Sequence, residues 1–220
     1  MNSSLCAFST SLLVAFLSAC GNTSEPTLES AVAEEIPAVV APKEEAPTFR
    51  LGESFLAIET GMVPDDVAEL YGEDFVAAEL PGGEGTTYSG FKLFPGTERE
   101  VMIGPYLPTR YLSVILPKTA TVYVEVETGL KIGNTLAELE KINGGPFTLA
   151  GFGWDYGGYV RDWQGGKLAH DGLISVQLGF GETPDPATLV DEIMGDHEIP
   201  SDLAALKDLP ITVREIVLRY

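Results

Sequence analysis

The fold is decided by two matching stretches of sequence, GMVPDDVAELYGEDF at residues 61–75 and GNTLAELEKINGGPF at residues 133–147. They align at a constant offset of 72 residues. At this offset Val67 and Leu70 match apolar residues, Leu139 and Ile142, and Asp66 matches acidic Glu138. Three positions are identical across the offset: Gly61 with Gly133, Gly72 with Gly144, and Phe75 with Phe147. This match predicts one structural unit that is used twice.

Both stretches carry the signals that begin a helix. Thr135 followed by Glu138 forms a capping box, in which two side chains satisfy backbone donors at the start of the helix. In the first stretch Pro64 takes the first helical position. Asp65 and Asp66 then lie at the positive end of the helix dipole. A short helix is therefore expected in each stretch.

The same stretches carry apolar stripes and stop signals. The stripes have helical spacing and consist of Val67, Leu70 and Tyr71 in the first stretch and Leu136, Leu139 and Ile142 in the second. Gly72 and Gly144 end the helices, because glycine tolerates left-handed geometry. The repeat units are expected at about 55–132 and 133–210.

Most of the remaining sequence predicts β-strands. Segments with β-branched or aromatic alternation, bounded by Gly or Pro, are strand signals, and they occur at 54–58, 86–94, 98–103, 111–116, 121–126, 173–179 and 212–220. Further helices are expected at 186–194 and 201–207. Few short helices on an antiparallel β-sheet, arranged as two tandem helix-plus-meander repeats, give the fold class α+β.

The pattern Gly-Met-x4-Val-x2-Leu-x-Gly at residues 61–72, placed before a meander, resembles known helix-plus-sheet modules. They are those of the β-lactamase inhibitory protein and of small outer-membrane assembly lipoproteins of the SmpA/OmlA type. The segment 151–167, rich in Gly and aromatic residues, is similar to a class of uncharacterised bacterial lipoproteins. The resemblance covers roughly residues 61–180 and implies a two-layer fold with a protein-binding role. It implies no catalytic residue.

The N-terminus has the sequence features of an export signal. A short apolar core at residues 12–17 predicts a signal peptide, which is too short to span a membrane. The sequence Leu-Ser-Ala-Cys at residues 17–20 resembles the bacterial lipobox. By that resemblance residues 1–19 are a lipoprotein signal peptide, and Cys20 becomes the first mature residue, carrying diacylglycerol and a further acyl chain such as palmitate.

A tether follows the lipidated cysteine. Residues 21–48 contain six Glu and four Pro but no aromatic residue, so they bury too little apolar surface to offset the entropy of ordering. Residues 20–48 are thus predicted to be a disordered acidic tether, and residues 49–220 the folded domain. Cys6 is the only other cysteine and is removed with the signal peptide, so neither a disulfide nor a thiolate metal site is expected.

The charge restricts the possible partners. The chain has 13 Lys and Arg against 33 Asp and Glu, a formal net charge of −20. Such a surface repels phosphate backbones and anionic headgroups, which excludes nucleic acid and a basic membrane dock. Contact with the membrane is expected through the lipid anchor alone. The predicted location is the bacterial cell envelope, as an outer-membrane or cell-surface lipoprotein that faces the periplasm or the exterior.

One segment stands apart, because residues 144–181 hold 11 of the 24 glycines and both tryptophans. Gly157-Gly158 between two tyrosines is a two-residue hairpin signal. The expected register pairs Tyr156 with Tyr159, Trp154 with Arg161, and Phe152 with Trp163. All six side chains would then share one face.

Two interpretations of this aromatic face stay open. It either packs as core, or it forms a binding platform of Trp154, Tyr156, Tyr159, Arg161 and Trp163. In the platform, a sugar ring or a partner side chain would stack on the aromatic rings, and Arg161 would form a cation–π pair with Trp154.

Asp155 and Asp162 would lie as diagonal neighbours on the opposite face of the same hairpin, and only this pair suggests an enzyme. No phosphate-binding loop, dinucleotide fingerprint, zinc helix or nucleophile elbow occurs in the sequence, and no cofactor or metal is expected. The leading hypothesis is a non-catalytic module that binds an envelope or secreted protein. The alternatives are a glycan- or peptidoglycan-binding module and a carboxylate-dependent hydrolase.

Overall fold

The computed structural model describes residues 47–53, 55–58, 62–105, 112–185 and 189–220. The predicted signal peptide, Cys20 and residues 21–46 of the predicted tether lie outside the described residues. Within the described chain, no helix is long and apolar enough to cross a membrane.

Two α-helices and eleven strands make up the described domain. The helices are α1 (Pro64–Tyr71) and α2 (Leu136–Asn143). In the first half the strands are β1 (Thr48–Phe49), β2 (Phe75–Pro81), β3 (Thr87–Leu93), β4 (Val101–Pro105), β5 (Leu112–Leu116) and β6 (Val124–Glu125). The second half contributes β7 (Thr148–Ala150), β8 (Val160–Asp162), β9 (Ile174–Phe180), β10 (Glu198–Pro200) and β11 (Ile211–Arg219). Short 3-10 turns lie at Gly72–Asp74, Gly83–Gly85 and Ala204–Leu206.

A six-stranded antiparallel sheet organises the domain. Its strand order is β2-β3-β4-β5-β11-β9. The first four strands follow one another as a meander, and β11, near the C-terminus, is inserted between β5 and β9. Two short helices with mostly antiparallel strands confirm the predicted α+β class.

The main core lies against one face of this sheet. Because side chains alternate along a strand, the central strands send every second residue into the core. Examples are Ile103 of β4, Val114 of β5 and Ile216 of β11, all fully buried. The opposite face, which we call the outer face, carries a smaller buried apolar cluster of Leu80, Met102, Ile115 and Val217.

Each of the two matching stretches contains one of the helices. Both have eight residues, and their first and last residues are 72 positions apart. Thr135 accepts a hydrogen bond from Glu138 N, and Thr135 N donates to Glu138 Oε2, so the capping box is confirmed. Gly144 ends α2 in the left-handed region with φ 89°. At α1 the Val63 N–H donates to Asp66 Oδ2 instead.

After the helices the two halves differ. α1 leads into the long meander, whereas α2 leads into a separate three-stranded sheet of order β10-β7-β8. The start of α2 is joined to β11 by backbone hydrogen bonds, from Gly133 N to Val213 O and from Val213 N to Asn134 O. Only β9 and β11 of the second half enter the large sheet.

Three local expectations were wrong. The described part of 186–194 is not a helix, because Ile193 N bonds to Val190 O in a turn and Met194 bridges Phe152. Leu70 is 52 % exposed, because α1 turns only Val67 fully toward the sheet. The described part of 54–58, residues 55–58, contributes an isolated bridge between Phe55 and Ile58 rather than a strand.

Candidate functional site

The glycine-rich hairpin does not have the predicted register. Strand β7 pairs with β8 through Thr148 opposite Asp162 and Leu149 opposite Val160. The chain from Gly151 to Gly158 therefore forms a broad loop. Tyr159 N donates to Tyr156 O at 3.5 Å across Gly157-Gly158, so these two residues do flank the turn. The expected pairs of Trp154 with Arg161 and Phe152 with Trp163 are wrong.

Backbone packing explains the difference. The turn at Gly157 and Gly158 does not continue into the predicted hairpin, because Gly158 lies against β9. A Cβ on Gly158 would lie 2.1 Å from Leu178 O. Leu178 N donates to Gly158 O, which fixes this contact with β9. Phe152 N donates to Ile193 O and Phe152 O accepts from Gly195 N, so Phe152 bonds to the 193–195 segment instead of to β8.

The predicted binding residues consequently separate into three environments. Phe152 joins the core at 4 % exposure. Trp163 packs on Phe147 with ring centroids 5.2 Å apart and lines a groove at the C-terminal end of α2. Trp154 packs edge-on against Tyr156 at 5.4 Å. Arg161 lies over the Trp154 ring at 5.9 Å, so the cation–π pair forms even though the register differs.

The two candidate carboxylates lie on different turns. Asp155 Oδ2 accepts a hydrogen bond from Glu84 N, which ties the loop to the turn between β2 and β3. Asp162 Oδ1 accepts from Gln164 N at the end of β8. Each carboxylate therefore stabilises a turn, and only Asp155 lines the cavity described next.

A concave site of about 440 Å³ lies on the outer face of the large sheet, and we call it the basin. Its floor is the outer face of β4, β5, β9 and β11, and its walls are the 155–161 segment and the turn at 81–83. It brings together Tyr156, Tyr159 and Arg161 of the predicted platform. It also holds residues that were not predicted, among them Ser113, Gln177, Glu215 and Arg219.

The floor has an apolar row between two polar rows. Ile115 lies opposite both Met102 and Val217 on the neighbouring strands. On one side of this apolar row, Gln177 of β9 lies opposite Glu215 of β11. Gln177 also forms an isolated β-bridge with Tyr159.

The second polar row runs through β5. Ser113 lies opposite Arg219 on β11 and opposite Gly104 on β4. A Cβ on Gly104 would lie 2.4 Å from Tyr88, so the tyrosine ring packs over this glycine. The basin is thus amphipathic, with an apolar centre and hydrogen-bonding groups along both sides.

In the Tyr159–Glu215 pair of the basin, the pKa values of both side chains are shifted. Tyr159 Oη donates to Glu215 Oε1 at 2.6 Å. Burial raises the pKa of the Glu215 carboxyl, although the hydrogen bond from Tyr159 opposes that shift. Burial and then the nearby carboxyl raise the pKa of the Tyr159 phenol. A buried carboxyl in a concave site with a perturbed pKa marks a candidate functional residue.

Ser113 adds an unused polar group. The residue is 3 % exposed, and its Oγ is buried with no hydrogen-bond partner in the described part of the chain. Buried hydroxyls are normally bonded. An unpartnered hydroxyl on the floor of a cavity is therefore a group that a ligand could satisfy.

Strand geometry explains why Glu215 and Ser113 were missed. Plain alternation along β11 would place Glu215 with Val213 in the core. A register shift between Val213 and Glu215 turns the glutamate to the outer face instead. Ser113 is a small residue in an apolar strand, and only its unpartnered hydroxyl distinguishes it. Glu215, Val217 and Arg219 occupy every second position of β11. This alternation is the sequence pattern that could have indicated their place on the outer face.

A second surface lies at the free edge of the large sheet. We call residues 63–79, which include α1 and β2, the acidic edge. No Lys or Arg occurs between Arg50 and Lys92, whereas nine Asp and Glu do. Three large apolar side chains are exposed along it, Val63, Leu70 and Val76.

The hydrogen-bond pattern shows which backbone groups of β2 point away from the sheet. Phe94 N donates to Asp74 O, and Gly82 N donates to Thr86 O. Since bonded and non-bonded pairs alternate in an antiparallel ladder, Val76 and Ala78 direct their N–H groups to β3. Ala77 and Glu79 direct theirs outward, where no strand pairs with β2 among the described residues.

No protein-family model, curated protein or solved structure matches this chain.

Proposed function

We propose that this protein is a lipid-anchored, non-catalytic interaction module of the bacterial cell envelope, and that it binds a protein partner through the acidic edge. The outward N–H groups of Ala77 and Glu79 carry this proposal. Unpaired strand edges are templates for another chain, and natural proteins usually protect them with charged side chains, Pro or a bulge. Along β2 such protection is limited to Glu79 and to Pro81, the last residue of the strand.

The chemistry of the acidic edge specifies the partner. Its side chains combine exposed apolar groups with acidic groups such as Glu69, Glu73 and Glu79, all of them exposed. An extended segment that adds to β2 would gain backbone hydrogen bonds and bury Val76. Lys and Arg on that segment would complement the carboxylates. A second copy of this chain is disfavoured, because it would bring two acidic edges together.

The lipid anchor and tether support the same function. Acylation at Cys20 would hold the domain at the membrane, and two or more acyl chains give stable anchoring. The acidic, Pro-containing residues 21–48 would keep the domain extended away from the bilayer. The protein would then present the acidic edge to envelope or secreted proteins.

The positions of Asp155 and Asp162 support a role without catalysis. Asp155 accepts a backbone hydrogen bond from Glu84 in a different turn, and Asp162 accepts one from Gln164 within its own turn. An acid–base pair would instead require both carboxyl groups to flank one substrate bond.

Photo-crosslinking in the native envelope tests this function. A photoreactive amino acid replaces Ala77 in the full-length protein, and a second variant carries it at Lys118, an exposed residue of the turn after β5. We expect a discrete adduct from position 77 alone, with a partner peptide that is extended and rich in Lys or Arg. High salt should reduce its yield.

An edge-blocking substitution provides the control. With the photoreactive group at Glu79, Ala77→Pro removes one outward N–H while the bonds of Val76 and Ala78 to β3 remain. Ala77→Ser keeps the N–H and is the matched variant. Loss of the adduct in Ala77→Pro alone supports strand addition. Equal adducts from position 118, or an adduct that Ala77→Pro leaves intact, would contradict it.

A further inference from the structure

We infer that the basin is a separate binding site for a neutral saccharide. It lies on the outer face of the sheet and shares no residue with the acidic edge, so this inference is independent of the proposed protein partner. Its volume of about 440 Å³ is within the range of small-ligand sites, which is roughly 300–1,000 Å³.

The rim supplies an aromatic surface. Tyr156 is 40 % exposed and packs against Gly83, where a Cβ would lie 2.2 Å from the tyrosine Oη. Trp154 packs edge-on against the same ring. The ring is thus held between two neighbours while part of its surface remains open. A partly exposed, fixed aromatic ring can stack on the apolar face of a pyranose.

The floor supplies the matching polar groups. A saccharide has a belt of hydroxyls that both donate and accept, and the polar rows offer both kinds of group. The buried Ser113 hydroxyl has no partner in the described chain. Glu215 Oε1 is already engaged by Tyr159, which leaves its second oxygen for a ligand hydroxyl. Between these rows Ile115 and Val217 provide an apolar strip.

The charge balance favours a neutral ligand over an acidic one. Arg161 and Asp155, one of each sign, line the same wall of the basin, so their charges offset each other. The whole chain carries a formal charge of −20, which repels anions at longer range. A uronic acid or a phosphorylated sugar would therefore bind more weakly than a neutral sugar of the same size.

Calorimetric titration of the full-length protein tests the inference. The protein is kept in a detergent without a sugar headgroup and titrated with chitotriose, maltotriose, cellotriose and, as the acidic arm, trigalacturonate. We expect at least one neutral trisaccharide to bind with a Kd of about 1 mM or tighter. Trigalacturonate should bind less tightly. The fluorescence of Trp154 should change on binding.

Three variants locate the site. Tyr156→Ala should weaken binding by roughly two- to tenfold through lost stacking. Ser113→Ala should weaken it by about fivefold through one lost hydrogen bond to the ligand, and it removes no hydrogen bond that the described part of the free protein shows. Trp163→Phe, in the separate groove, is the matched control and should leave affinity unchanged.

Three results would overturn the inference. The first is that none of the three neutral trisaccharides binds at a ligand concentration roughly tenfold above the expected Kd. The second is that trigalacturonate binds more tightly than the neutral trisaccharides. The third is that Trp163→Phe is the only variant that reduces the affinity. Because Ser113→Ala removes no hydrogen bond that the described part of the free protein shows, its result remains interpretable even if Tyr156→Ala alters the loop. Crosslinking at Ala77 is unaffected by any of these outcomes, so the two proposals fail separately.

Discussion

The Tyr159 hydroxyl donates a 2.6 Å hydrogen bond to Glu215 Oε1 and thereby joins the loop before β8 to the middle of β11. The bond crosses from the small sheet region to the large sheet and forms one side of the basin. It also keeps a carboxyl group in a setting where burial raises its pKa above the ordinary value of 4.5.

Stability should depend on pH through Glu215. The folded state binds this proton more tightly than the unfolded chain does. The free energy of unfolding therefore contains a contribution that is fully present below the ordinary glutamate pKa and is lost as pH rises through the folded pKa. In Glu215→Gln this loss should disappear, because glutamine does not ionise and still accepts from Tyr159. Urea denaturation between about pH 4 and pH 8 measures the difference.

The control for that experiment is Glu69→Gln, at an exposed residue of α1. It should keep the decline in stability of the wild-type protein. A parallel decline in wild type and Glu215→Gln would show that another group is responsible.

Ser113→Ala should leave the protein as stable as wild type or stabilise it by up to about 1 kcal/mol. A buried hydroxyl without a partner costs desolvation free energy, and alanine removes that group without removing a hydrogen bond. Thermal and urea unfolding check this at Ser113 and at Ser201, which is buried but donates to Glu140. Ser201→Ala should destabilise. A clear destabilisation by Ser113→Ala would mean that its hydroxyl has a partner.

Thr135→Ala should destabilise the domain by about 1 kcal/mol. The threonine side chain accepts the hydrogen bond from Glu138 N at the start of α2, and loss of a helix cap typically costs this much. Thr135→Ser keeps the acceptor and should remain close to wild type in urea denaturation. Equal losses in both variants would assign the effect to the threonine methyl group instead.

Much of the fold could be predicted from local signals. The helix ends at Pro64, Thr135, Gly72 and Gly144 follow from capping and glycine geometry, which involve only a few neighbouring residues. The strands of the large sheet from β3 onward were located to within a few residues by their alternation. Such signals are sufficient because each depends on contacts close in sequence.

The candidate site depended on contacts far apart in sequence. Gly157-Gly158 has the signature of a tight turn, but the backbone of Leu178 occupies the space that a different residue would need. The side of the sheet on which Glu215 lies is set by a register shift beside β9. Neither feature can be predicted from the neighbouring residues. The structure therefore has the basin where the sequence predicted an aromatic face.

The lipid anchor has its own test. Mass spectrometry of the mature native protein should find Cys20 at the N-terminus with acyl chains attached. Cys20→Ser should abolish the lipid mass and release the protein from the membrane fraction. An intact Met1 with an unmodified Cys20 would contradict both the anchor and the envelope location.

Amide hydrogen exchange along β2 tests the central claim most directly. In the free protein, the amides of Ala77 and Glu79 should exchange quickly, whereas those of Val76 and Ala78 should be protected by β3. When the partner identified by crosslinking is added, exchange at Ala77 and Glu79 should slow by at least about tenfold, the effect of roughly 1.4 kcal/mol of protection. Unchanged exchange at both amides in the presence of saturating partner would contradict strand addition at this edge.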